Sequence, residues 1–216
     1  MKIVDKIVTT LLSALTIPVA IFAPLVHVLY QITAWQMIEQ FVGSSDPTDT
    51  GLTEDAVSVK WMIEKTVNGN FSLGGIDTSK FTESFRAIFP FLVAAGILFA
   101  LAAVTGVVLF VTAAVSRAKK TQCIMCAVGI AQLIASGILF SKFASPIVDG
   151  TVSVGSVMES LLGESYSTLS SFLTSSVINV QRLNLTTAWS VMMMLFFAVM
   201  IWNVSYMITN NDNKAE

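Results

Sequence analysis

The sequence predicts an all-α integral membrane protein: a four-helix transmembrane bundle, N-in/C-in, with helical outer loops. Three observations carry that expectation. Residues 7–38, 87–116, 121–141 and 183–211 contain no Asp, Glu, Lys or Arg. A hydrocarbon core of about 30 Å takes roughly 20 apolar residues in a helix, whose backbone must satisfy its own hydrogen bonds in the absence of water. The composition agrees: the 216 residues are 54% hydrophobic and 12% charged, against about 25% charged in soluble domains. Lastly, N-in/C-in places Lys2, Lys6, Arg117, Lys119, Lys120 and Lys214 inside against only Asp5, Asp212 and Glu216. The outer loops then hold the remaining eleven acidic and six basic residues, and short basic segments are what set orientation.

These signals define a single membrane domain, 1–216, with spans at about 7–33, 87–116, 121–141 and 187–208 and outer loops at about 43–80 and 143–186. The first apolar run far exceeds the 7–15 residues of a signal-peptide core, so it reads as a retained helix. Its apolar pattern continues to Phe41, and Gly43 with Ser44-Ser45-Asp46-Pro47 stops it. Pro18 and Pro24 read as kinks within it. In the first outer loop Leu52, Ala56, Val59, Ile63 and Val67, behind a Thr53 cap, predict a short amphipathic helix. Asn68-Gly69-Asn70 ends that helix, Asp77 or Thr78 caps the approach to span two, and Pro90 bends it near the surface.

Spans two and three form a hairpin around the basic link at Arg117–Lys120. Ala127, Ala131 and Ala135 make an every-fourth-residue row in span three; Gly96 with Ala100, and Ala102 with Gly106, supply small pairs in span two. Small side chains let helix backbones approach in lipid, so these residues are expected at the hairpin interface. In the second outer loop Met158, Leu161, Leu162, Leu169, Phe172, Leu173, Val177 and Val180 share about 160° of a helical wheel, opposite a serine-rich face. That segment reads as a helix docked on protein. Trp189 near one interface and Trp202 with Tyr206 near the other suit aromatic belts around span four.

The candidate functional pattern lies on helix one. Thr9, Ser13, Thr16, Ala20, Ala23, His27, Gln31 and Ala34 recur at intervals of three and four, giving one small or polar face. An unpaired polar group in hydrocarbon is costly, so this face meets protein or an aqueous path. His27, the sole histidine, is a candidate proton carrier, but no other histidine or carboxylate lies in any expected span to form a relay. Cys123 and Cys126 form a C-x-x-C beside Lys119 and Lys120. Basic neighbours activate thiols, yet zinc needs four ligands and no companions are apparent, so both cysteines read as small buried hydrophobes.

No phosphate loop, metal spacing or catalytic acid pair is evident, so no cofactor is expected and the chain reads as non-enzymatic. A net charge of −2 with an acidic exterior carries no nucleic-acid footprint. The cysteine-free outer loops favour a bacterial inner membrane over an animal cell surface, with an organelle membrane as the alternative. Asn70-Phe71-Ser72 and Asn184-Leu185-Thr186 match the glycosylation triplet, which recurs often by chance. In layout alone the chain resembles claudins and tetraspanins. It lacks the paired outer-loop cysteines and the tryptophan and glycine signature of the former and the Cys-Cys-Gly of the latter, so no function carries over. The expected partners are the lipid bilayer, further copies of the chain or other membrane subunits. The functional expectation is a four-span protein acting through helix packing and outer-loop contacts, as an oligomer or accessory subunit. The alternative is a pore-forming oligomer with helix one lining the path.

Overall fold

The computed structural model describes residues 2–32, 52–60, 83–115, 118–152 and 178–212. It is mostly helical, with four helices long and apolar enough to cross a membrane. They are α1 (Lys2–Phe22), α2 (Glu83–Val115), α3 (Lys119–Val148) and α4 (Thr187–Asp212). The strands are β1 (Pro24–Ile32), β2 (Leu52–Ser58) and β3 (Ile178–Leu185), arranged as one antiparallel sheet in the order β2-β1-β3.

At 1.5 Å per residue, the 21 residues of α1 reach about 32 Å and the 33 and 30 residues of α2 and α3 about 50 and 45 Å. The α2/α3 hairpin therefore overhangs α1 by more than 10 Å, and the sheet packs on the overhang. There Phe85, Ile88, Phe140, Phe143 and Ile147 are buried together with Val180 of β3, and Val26 and Val28 of β1 pack against them. The second core lies among the helices: Phe99, Ala102, Leu109, Cys126, Leu133, Met192, Phe196 and Val199. Each helix packs on two neighbours, α1 and α3 both touching α2 and α4. At Gly129 of α3 an added Cβ would stand 2.7 Å from the Phe196 ring of α4, so the ring needs a residue without a side chain there. Outward, Val4, Leu11, Ile97, Val104, Ile124, Met194 and Ile201 form an exposed apolar belt.

Three expectations are corrected. Helix one does not extend to residue 33: it ends at Phe22, and Pro24 opens a strand. Proline cannot donate to the preceding turn, and Val26, Val28, Tyr30 and Ile32 alternate at period two in a β-branched and aromatic run that suits a strand. Helical spacing from His27 to Gln31 thus has no meaning, since both belong to β1, where His27 pairs with Ala56 and Asn184. The amphipathic helix expected from Thr53 is instead β2 up to Ser58, with Leu52, Thr53 and Ala56 in register with Gln31, Tyr30 and His27. An all-α fold is accordingly replaced by helices plus this sheet.

The third helix also runs on past residue 141 to Val148. Lys142 ends the uncharged stretch but not the helix, because a long cationic side chain can lay its apolar stem along its neighbours and carry its charge outward. The helix stops at Gly150, whose φ of 73° is left-handed. The Asp149, Gly150 and Val152 amides donate to the Ser145, Ile147 and Pro146 carbonyls, closing the terminus. The continuation to Ile63 and Val67, Ala34, Asn70 and the expected outer face at Met158, Leu161, Leu162, Leu169, Phe172, Leu173 and Val177 lie outside the described residues. Val180, assigned to that face, belongs to β3.

Candidate functional site

Where α1 and α3 begin and α4 ends, a polar cluster is enclosed by the bundle. Lys119 opens α3, where the positive end of the helix dipole disfavours a cation. Its ammonium reaches α1 instead, lying 2.9 Å from both carboxylate oxygens of Asp5. It also donates to Asn203 Oδ1 of α4 at 3.0 Å and to Thr9 Oγ1 at 3.3 Å, and sits 5.3 Å from the centre of the Tyr206 ring. The Trp202 indole N–H donates to Asp5 Oδ1 at 3.0 Å. The Lys119 and Asp5 side chains are only 10% and 8% exposed, so the ion pair is desolvated, and Asn203 beside it is fully buried. With its oxygen turned to the ammonium, Asn203 leaves Nδ2 buried with no hydrogen-bond acceptor among the described residues.

From this cluster the α1 stripe runs inward. Thr9, Ser13 and Thr16 are fully buried and Ala20 nearly so. Each hydroxyl donates to its own helix: Thr9 to the Asp5 carbonyl at 2.9 Å, Ser13 to that of Thr9, and Thr16 to that of Ser13 at 2.7 Å. Such back-bonding satisfies a hydroxyl without water or an outside partner. Thr16 packs on Gly106 of α2 so closely that an added Cβ would lie 2.5 Å from its Oγ1. Ala23 is half-buried beyond the end of the helix, and His27 and Gln31 stand in the sheet.

The small residues of the hairpin separate into two sets. Ala102 is buried in the helix core and Gly106 against α1, whereas Gly96 and Ala100 are exposed, nothing lying within 4 Å of a Cβ at Gly96. Ala127 and Ala131 are exposed and Ala135 half-buried, so the row expected between α2 and α3 stands largely on the outside. A strict period of four drifts about 40° per step around a helix of 3.6 residues per turn. The buried face of α3 follows Gln122, Cys126, Gly129, Leu133, Ser136 and Phe140 instead. The hairpin is stitched by hydrogen bonds: Ser136 Oγ donates to the Ala95 carbonyl at 2.9 Å and Thr105 Oγ1 to Gln132 Oε1 at 3.0 Å. Gln122 Nε2 lies 3.5 Å from the Thr112 carbonyl.

The cysteines are free; Cys126 is in the helix core and Cys123 is half-buried, 4.0 Å from the Met200 carbonyl of α4. Among the described residues no three His, Cys, Asp or Glu side chains converge as metal ligands. The arrangement can hold three helices in register, since each donor of the ammonium meets an acceptor on α1 or α4. Sequence reasoning missed Asp5, Lys119, Trp202 and Asn203 as a unit. One signal was available: Asp5 continues the Thr9–Ser13–Thr16 spacing one turn upstream, on the same helix face. The chain matches no family model, and neither a curated protein nor a solved structure is significantly similar to it.

Proposed function

We propose that this is a non-enzymatic four-span membrane protein that acts through contacts of its helices and outer segments, as an oligomer or an accessory subunit of a membrane complex. The observation that carries the reading is the fate of the α1 stripe. Its hydroxyls are buried and returned to their own backbone, and Thr16 abuts Gly106, which supports a packed face over a wet one. The sheet platform beyond the shorter helices offers a surface outside the lipid for partner contacts. The charge distribution supports N-in/C-in insertion, with that platform outside, and the cysteine-free outer segments favour a bacterial inner membrane.

Reconstitution tests the reading. Vesicles holding the purified chain should show no ion or solute flux above empty vesicles, and the protein should migrate in mild detergent as an oligomer or with co-purifying membrane subunits. Flux abolished by Thr16→Trp with the oligomer intact would establish the pore instead. For orientation, cysteines placed at Ser45 and Ser153 should react with an impermeant reagent in intact cells, and one at Asn213 should not.

A further inference from the structure

At the sheet end an open groove of about 790 Å³ runs between α3, β3 and the start of α4, within the roughly 300–1,000 Å³ typical of ligand sites. One end of its lining is apolar, with Ile134, Gly137, Ile138 and Trp189; the other carries Lys142, Asp149 and Asn184. We propose that it binds one phospholipid with a zwitterionic, primary-amine headgroup, of the phosphoethanolamine type.

Depth in the bilayer is the first argument. Lys119 and Lys142 are 23 residues apart on one helix, about 34 Å at 1.5 Å per residue. A hydrocarbon layer of about 30 Å beginning at the Asp5–Lys119 level therefore ends just short of Lys142. Ile134 and Ile138, 47% and 56% exposed, lie inside that layer, at the depth of an acyl chain. Asp149 is two further turns along the same face, about 10 Å beyond Lys142. Headgroup layers add roughly 5–8 Å on each side, so a lipid phosphate falls between the two charges. The Lys142 ammonium stands 5.8 Å from the centre of the Phe91 ring of α2, and its flexible stem can swing it to that phosphate.

Charge is the second argument. An anionic lipid would answer Lys142 but meet the Asp149 carboxylate, which accepts a 3.0 Å hydrogen bond from Ser145 Oγ. A zwitterionic headgroup answers both, its phosphate on the deeper cation and its amine on the outer anion. A primary ammonium donates up to three hydrogen bonds, whereas a quaternary choline has no N–H for the carboxylate. The site is a rigid one: the Trp189 indole N–H donates to the Leu133 carbonyl at 2.8 Å, and a Cβ at Gly137 would meet that ring at 3.0 Å.

Native mass spectrometry of the full chain tests this, with equimolar phosphatidylethanolamine, phosphatidylglycerol and phosphatidylcholine of matched acyl chains. The ethanolamine lipid should be retained over phosphatidylglycerol by about fivefold, the worth of one charge contact near a membrane surface, and over phosphatidylcholine through the N–H donors that choline lacks. Asp149→Asn should remove its advantage over phosphatidylglycerol, Lys142→Gln should weaken all three, and Ile138→Trp should displace all three by filling the groove. Because these side chains are exposed, each variant should keep the helical circular dichroism of the parent. Equal retention of the three lipids, an ethanolamine preference that survives Asp149→Asn, or full competition by soluble glycerophosphoethanolamine at lipid concentration would overturn the proposal.

Discussion

Removing the Lys119 side-chain charge should strongly destabilise the bundle, because it breaks an ion pair held inside it. In Lys119→Met the Asp5 carboxylate keeps, among the described residues, only the Trp202 indole as a side-chain donor, and Asn203 loses the ammonium from an oxygen with no solvent access. Breaking a buried pair by deleting one partner costs about 3–5 kcal/mol, because the remaining charge is left uncompensated. On the slope typical of chains of 150–250 residues, about 2–4 °C per kcal/mol, the midpoint falls by roughly 6–20 °C. Asp5→Leu should do comparable harm, stranding an ammonium among Thr9, Asn203 and the Tyr206 ring. The double variant Asp5→Leu/Lys119→Met removes both charges, and apolar replacement of buried ion pairs is often neutral or stabilising. Its midpoint should recover most of the loss. Thermal unfolding of the four proteins in one detergent, followed by tryptophan fluorescence or helical circular dichroism, closes the cycle. A Lys119→Met midpoint within 2 °C of the parent, or additive losses in the double variant, would refute the claim that the pair is desolvated and coupled.

Two further outcomes follow from the packing. Gly106→Ala should cost about 1–3 kcal/mol, because its Cβ would be forced onto Thr16, while Gly96→Ala, with open space around it, should gain up to about 1 kcal/mol in helix propensity; paired melting curves check the opposite signs. Ala131→Leu, on an exposed face, should change monomer stability by no more than about 0.5 kcal/mol, and a large loss on the same measurement would place that alanine in an interface.

The four long apolar helices were legible, though not the end of the first, because long uncharged stretches that are to cross a bilayer must become helices to satisfy their backbones. The sheet was not legible, for a physical reason visible at Pro24. Residues 24–32 are as apolar as a span, and apolar content alone cannot separate a helix from a strand buried on a core. Only the alternation of Val26, Val28, Tyr30 and Ile32, together with the proline, distinguishes them. The partners of β1 come from 52–58 and 178–185, far away in the chain. No local pattern announces such pairing, since the strands meet only after long loops close at an entropic cost.

The same distinction between local and distant information explains the candidate site. The Thr9–Ser13–Thr16 face could be read from α1 alone; its neighbours could not, because Lys119 belongs to α3 and Asn203 to α4, far away in the chain. Asp5 and Lys119 looked like solvated ends whose charges serve orientation. In the folded chain they meet each other, and that changes what they do. Between helices in lipid the hydrophobic drive is weak, and helices slide or rotate at little cost until polar groups fix them. Small residues cannot fix a register by themselves, as the exposed Ala127 and Ala131 illustrate. An ammonium held by a carboxylate and a threonine on α1 and an amide on α4 can, because shifting any one helix by a single residue moves a charge about 1.5 Å along its axis and out of hydrogen-bond reach. The stability of the bundle comes largely from its packed Phe, Leu and Met side chains, but the alignment of α1 with α3 and α4 comes from Asp5, Thr9, Lys119 and Asn203 at one end.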